Sequence, residues 1–235
     1  MNEAIILANG SFPQREESLQ ALMHSECIVC CDGAFNKLVD TKLITEQRRG
    51  VVHVVGDGDS LICVESPFPV VVVDKYTDQD TNDLTKAVKY ALSIGMERLV
   101  ILGATGLRED HTLGNISLLA EYARMATNNG GMLKVEMWTD YGRFTPLLTC
   151  GEADVELESF ARQQVSLFAM DCGIEVTSKG LKYPIEQRVF HALWEATLNE
   201  AEGDFFRLSL RGDGAVLVYR TWDAKYPLSE SEKKR

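Results

Sequence analysis

The chain has no apolar run approaching the length that spans a bilayer, which argues against a membrane helix. It is also short of positive charge: 24 Lys and Arg stand against 35 Asp and Glu, a formal net charge of −11. That deficit argues against nucleic acid or an anionic membrane surface as the main partner, since both need a basic face. An acidic chain can still take an anionic nucleotide where a local cation or arginine overrides the global field. There is no Ser-His-Asp ordering and no nucleophile elbow, so covalent catalysis has no support. Neither the P-loop pattern nor the dinucleotide Gly-x-Gly-x-x-Gly spacing occurs. The opening Met1-Asn2-Glu3 has no basic segment, and the apolar stretch at 4–8 is too short for a secretion signal, so a cytoplasmic location is expected. Six cysteines fit that compartment as reduced thiols. Cys27-x-x-Cys30 falls inside an apolar run with no second ligand pair, and it reads as buried thiols rather than a zinc site.

The 235 residues suffice for one large or two small domains. Residues 1 to about 140 alternate between short apolar runs and helical periodicity. Ile5 to Ala8, Cys27 to Cys31, Val51 to Val55, Val70 to Val73, Leu99 to Leu102 and Val135 to Trp138 read as strands. The valine runs are continuous rather than alternating, the pattern of strands covered on both faces. Helices are expected at about 16–23, 34–39, 83–94 and 111–126, the third capped by Thr81 or Asn82. In the last, Leu113, Ile116, Leu119, Ala120 and Ala123 are expected to face inward. Six strands with intervening helices imply a doubly wound, mostly parallel sheet. Beyond residue 140 the texture changes to alternating strands, with Val155/Leu157, Val165/Leu167, Leu208/Leu210 and Val216/Val218 as inward pairs. Arg211-Gly212-Asp213-Gly214 reads as a hairpin turn and 141–146 as the link to an all-β second domain.

The acids mark the candidate site. Asp32, Asp57, Asp59, Asp78, Asp80, Asp83 and Asp110 each follow the end of an apolar run within a few residues. If the runs are parallel strands, those ends form one sheet edge, where open α/β sheets bind ligands. Carboxylates crowded there need cations, and Asp oxygens on glycine-flexible backbone suit Mg²⁺ carrying phosphates. In Gly56-Asp57-Gly58-Asp59-Ser60 the two acids project to the same side of an extended backbone and can bracket one ion. In Asp78-Gln79-Asp80-Thr81-Asn82-Asp83 there are more acids than one helix cap needs, and Lys86, one turn on, can meet Asp83 or reach a phosphate. Gly103 to His111 joins a strand to a helix, with Arg108 as candidate phosphate clamp and His111 as a base, a capping group or a nucleotide contact.

Four motifs in order carry a family resemblance: Cys31-Asp32-Gly33-Ala34-Phe35-Asn36, Gly56-Asp57-Gly58-Asp59-Ser60, the segment from Asp78 to Ala87, and Gly106-Leu107-Arg108-Glu109-Asp110-His111. With Gly180-Leu181-Lys182-Tyr183-Pro184 further on, the chain resembles the thiamine pyrophosphokinase family. The resemblance implies an α/β domain binding Mg-ATP over 1–143, followed by a β-sandwich thiamine-binding domain over 144–235. It also implies a homodimer with active sites at the subunit interface. The Mg-ATP carboxylates would be Asp57, Asp59, Asp83 and Asp110, with Asp32 close by; Gln79, Lys86, Arg108 and Asn115 carry over as nucleotide contacts. Asp80 and His111 are counted with them. The sequence departs from the family at Phe35, Gly58, Leu107 and Leu198. The implied reaction is pyrophosphoryl transfer from ATP to the hydroxyethyl oxygen of thiamine. Thiamine's thiazolium charge suits an aromatic face, for which Trp222 is first choice ahead of Tyr219, Tyr183 and Phe168. The rival readings are an Asp-rich Mg- or Mn-dependent phosphohydrolase and a non-catalytic binding protein on the same fold.

Overall fold

The structure, a computed structural model, describes residues 2–44, 50–56, 66, 68–73 and 81–224. It divides into two compact units, Met1–Asp140 and Tyr141–Arg235.

In the first unit the order is β1 (Glu3–Leu7), α1 (Glu16–His24), β2 (Cys27–Cys31), α2 (Ala34–Asp40), β3 (Val51–Val55), β4 (Val70–Val73), α3 (Asp83–Ser93), β5 (Arg98–Leu102), α4 (Glu109–Ala123) and β6 (Lys134–Trp138). The six strands among the described residues are all parallel, in the spatial order β6-β5-β1-β2-β3-β4. The expected doubly wound sheet is therefore present. The central strands β1, β2 and β5 are buried almost end to end, as both-face coverage by helices requires. One face packs Ile5, Leu7, Ile28, Cys30, Val52 and Val54 against Leu22 of α1 and Ala34, Phe35 and Leu38 of α2. The helix α3 packs against β1, β2 and β3, burying Leu84, Ala87, Val88 and Ala91 at helical spacing. Asn82 is its N-cap, with the Asn82 Oδ1 accepting the Thr85 N–H at 2.8 Å. Cys27, Cys30 and Cys31 are buried strand residues.

Two details differ from expectation. Among the described residues the strand β4 lies last in the order, and Val71 and Val72 are 43% and 54% exposed, so a continuous valine run here marks strand propensity rather than two-sided burial. The helix α4 begins at Glu109, two residues early, because extended Arg108 takes the N-cap. Its burial is confined to Leu119, Ala120, Tyr122 and Ala123; Ile116 is half-buried and Leu113 is 67% exposed.

Among the described residues the second unit is all β: β7 (Gly142–Glu158), β8 (Gln163–Ala169), β9 (Glu175–Lys179), β10 (Arg188–Val189), β11 (Ala196–Glu200) and β12 (Phe205–Ala224). The strands β7 and β12 are long and pair antiparallel without interruption from Phe205↔Glu158 to Thr221↔Gly142. The stretch 141–146, expected as a link, is thus mostly strand. The hairpin expected at Arg211-Gly212-Asp213-Gly214 is not there either. Gly212 (φ 112°) pairs with Gly151 (φ 92°), and the two left-handed glycines bend a continuous ribbon instead of reversing it. Before the bend β12 also pairs with β9, and beyond it with β8, so one strand serves both layers of a sandwich. Between the layers lie Leu157, Val165, Leu167, Val176, Phe206, Leu208, Leu210, Val216 and Val218, which include most of the inward pairs read from the sequence. Among the described residues no helix is long and apolar enough to cross a membrane.

Candidate active site

The strand order of the first unit reverses at β1, since β2 continues on one side and β5 lies on the other. Loops leaving the carboxyl ends of β1 and β5 diverge there and leave a crevice, the usual ligand position in an open α/β sheet. A cavity of about 430 Å³ occupies that place. Its walls come from Ala8, Asn9 and Gly10 after β1, Cys31 at the end of β2, Ala104, Thr105 and Leu107 after β5, Asn82, Asp83 and Leu84 at the start of α3, and Arg108, His111, Thr112 and Asn115 at the start of α4. Two helix N-termini thus border one cavity, each contributing free N–H groups and positive potential.

Local chemistry fixes the loops. The Gly10 N–H donates to the Gly103 carbonyl at 2.7 Å and the Ser11 N–H to the Thr105 carbonyl at 2.9 Å, while the Ser11 hydroxyl donates to the Gly106 carbonyl at 2.9 Å. A side chain at Gly10 would put its Cβ 2.4 Å from the Gly103 oxygen, so only glycine permits this approach. The Asn115 amide donates to the Ala104 carbonyl at 2.8 Å, tying α4 to the β5 loop. The Thr85 hydroxyl meets the buried Tyr122 hydroxyl at 2.8 Å, tying α3 to α4. Burial pushes the Tyr122 phenol up from its ordinary range, so it stays a neutral hydrogen-bonding group.

Asp83, Arg108, His111 and Asn115, singled out from the sequence, line the cavity together. Lys86 is buried and its Nζ lies 3.1 Å from Asp83 Oδ1, with the Asp83 side chain half open to solvent. Asp110 is exposed and accepts from Arg108 at 3.1 and 2.6 Å. The Arg108 guanidinium, seconded by the His111 N–H, holds the Asp110 carboxyl below its usual range, and the same pairing raises Arg108. Asp32 sits buried at the end of β2 in the left-handed region (φ 33°), its N–H donating to the Val55 carbonyl. Gly56 accommodates it, because a Cβ there would come within 2.7 Å of the Asp32 Cβ. Such backbone strain is commonest at functional sites. Cys31 donates from Sγ to the Asp83 carbonyl at 3.6 Å, and burial pushes its thiol well up, which keeps it an unreactive wall. Trp222 lies in β12 of the second unit, half-buried, with the Arg143 guanidinium 5.8 Å from its ring centre. Asp57, Asp59, Asp78, Gln79 and Asp80 lie outside the described residues.

The described carboxylates test the expected cation site only in part. Asp83 and Asp110 offer partly solvated oxygens of the hard kind a divalent cation takes. Among the described residues no three acidic, histidine or cysteine side chains gather closely enough to hold a metal by themselves. Sequence reasoning passed over Asn9, Gly10, Thr105 and Thr112. Asn9-Gly10 has the composition of a turn, and it follows a strand end like the acids.

Comparison with known proteins bears on the family and the fold. The family model described as thiamin pyrophosphokinase, catalytic domain, matches residues 19–129, and the one for the substrate-binding domain of that enzyme matches residues 142–219. The thiamine pyrophosphokinase of Bacillus subtilis is 32% identical over 155 residues, which cover 63% of this chain and 68% of that protein. Thiamine pyrophosphokinase 2 of Arabidopsis thaliana is 30% identical over 138 residues, and the chain spans about half of its length, at 51%. The crystal structure of the B. subtilis enzyme superposes with a TM-score of 0.70 at 22% identity, covering 94% of this chain and all of that one. The Candida albicans enzyme gives 0.72 at 16% identity, covering 94% and 90%. At such identities the superpositions speak for the fold, and the sequence matches speak for descent: the chain belongs to the thiamin pyrophosphokinase family.

Proposed function

We propose that this chain transfers the pyrophosphoryl group of ATP to the hydroxyethyl oxygen of thiamine, releasing AMP, with the first unit holding the nucleotide and the second holding thiamine. The observation that carries this reading is the cavity where the strand order reverses, bordered by two helix N-termini, in a chain of this family. The thiamine oxygen attacks the β-phosphorus. The new O–P bond forms as the bond from that phosphorus to the oxygen bridging the α-phosphate breaks, and AMP leaves with the bridging oxygen. The hydroxyl proton passes to a carboxylate of the acidic set. Positioning and electrostatics supply most of the acceleration in such transfers.

The chain's own groups divide that work. Backbone N–H groups at the starts of α3 and α4 face the phosphates, Arg108 and Lys86 add positive charge, and Asn115 and His111 contact the nucleotide. Asp32, Gln79 and Asp80 belong to the same nucleotide set. A divalent cation, here Mg²⁺, would be held by Asp57, Asp59, Asp83 and Asp110, and when bound it neutralises the charge shared by the phosphates. Trp222 presents a ring face to the thiazolium. The active assembly is a homodimer with sites at the subunit interface, located in the cytoplasm. The deciding experiment is an assay for thiamine-dependent AMP release. ADP or inorganic phosphate as the product would replace this reading with phosphohydrolysis, and tight nucleotide binding without turnover would replace it with a binding protein. Full activity in a monomeric protein would overturn the shared-site assembly.

A further inference from the structure

We propose that Lys37, on α2, is a positioning residue for nucleotide binding: its ammonium locks two consecutive peptide planes of the β1–α1 loop that line the cavity. The Lys37 Nζ donates to the Asn9 carbonyl at 2.9 Å and to the Gly10 carbonyl at 2.7 Å. In a trans peptide the C=O and the following N–H point in opposite directions. The N–H partners of these two carbonyls are those of Gly10 and Ser11, and both donate across to the β5 loop, at Gly103 and Thr105. Each of the two peptide planes is therefore held at both ends. Lys37 holds one side and the β5 loop holds the other. With the ammonium removed, the planes are pinned on one side only, and rotation about it moves Asn9 and Gly10 in the cavity wall.

The choice of a cation fits the contents proposed for the cavity. A neutral donor would hold the two carbonyls more weakly, since charge-assisted hydrogen bonds are the stronger kind. An ammonium directly behind them also adds positive potential to a site that carries Asp83 in a chain of net charge −11. Lys37 lines no part of the cavity itself, so it acts through the loop rather than on the ligand. The inference rests on the cavity being the nucleotide site.

The test compares wild-type protein with Lys37→Met, which keeps the stem and loses the donors, and with Lys37→Arg, which keeps charge and donors. Mg-ATP affinity is measured by calorimetry, and turnover by thiamine-dependent AMP release. Lys37→Met should weaken Mg-ATP binding and raise KM for ATP by about tenfold, the scale of a lost charge-assisted hydrogen bond. KM for thiamine should stay within about twofold, and Lys37→Arg should recover most of the loss. Lys37→Gln, with a donor but no charge, serves where the methionine variant does not fold, and the same direction is expected. Unchanged Mg-ATP affinity, or equal losses for ATP and thiamine, would overturn the role of Lys37 and leave the transferase reading standing. Weakened Mg-ATP binding in a protein that releases no AMP with thiamine would do the reverse. A wild-type protein that binds no Mg-ATP would overturn both.

Discussion

Replacing Gly10 by alanine should damage nucleotide binding far more than it damages the fold. The new Cβ would stand 2.4 Å from the Gly103 oxygen and 2.7 Å from the Thr105 oxygen, whereas ordinary contact begins at 3.4 Å. One loop must retreat by about 1 Å to relieve that overlap. Retreat stretches the Gly10–Gly103 and Ser11–Thr105 hydrogen bonds, now 2.7 and 2.9 Å. Each is worth about 1 kcal/mol net, so the loss is about 2 kcal/mol, or roughly 4–8 °C in Tm. A 1 Å displacement of groups that position a substrate costs about 100-fold in rate. The expected result for Gly10→Ala is therefore a kcat/KM for ATP about 100-fold lower in a protein still folded at 25 °C, read by thiamine-dependent AMP release beside a thermal melt. Gly114→Ala is the control: it lies exposed in α4 with nothing within 4 Å of a new Cβ. There the change should stabilise by about 0.5–1 kcal/mol through helix propensity and leave kcat/KM unchanged. Wild-type kcat/KM in Gly10→Ala would refute both the loop geometry and its place at the nucleotide site.

Asp59→Asn should abolish Mg-dependent turnover while the thermal melt stays within a few degrees of wild type, and full activity would remove Asp59 from the cation set. Trp222→Ala should raise KM for thiamine several-fold, the worth of a cation–π contact of roughly 0.5–2 kcal/mol, with KM for ATP nearly unchanged; a joint rise would mark Trp222 as a structural residue of β12. His53, whose Nδ1 meets the Tyr90 hydroxyl at 2.8 Å, is held below its ordinary value by burial. As pH falls through about 6.5 the unfolded chain takes up this proton first, so stability declines from there toward the lower folded value. Tm should therefore drop more between pH 7 and pH 5 in wild type than in His53→Gln, and parallel curves would show that His53 contributes nothing to acid lability.

Periodicity and end signals are local, and they were legible. The strand runs at Cys27–Cys31 and Leu99–Leu102, a cap at Thr81 or Asn82 and the buried face of α3 all follow from neighbours a few residues apart. The site was legible in outline for a topological reason: once parallel strands are granted, their carboxyl ends share an edge, which brought Asp83, Arg108 and His111 to one cavity, where Asn115, carried over from the family resemblance, joins them. Other features depended on partners remote in sequence. Gly212-Asp213-Gly214 has the composition of a turn. Whether left-handed glycines reverse a chain or only bend it is decided by the strand alongside, and here Gly151 lies opposite Gly212 in an unbroken ladder. The valines of β4 have the pattern of a buried strand, but nothing in a strand's own residues says that it will be the last in its sheet. Lys37 and the Asn9-Gly10 turn are 27 and more residues apart, and each alone looks like surface. Sequence pattern records which face a residue prefers, whereas the partner of a backbone carbonyl is chosen only when the sheet brings distant loops together.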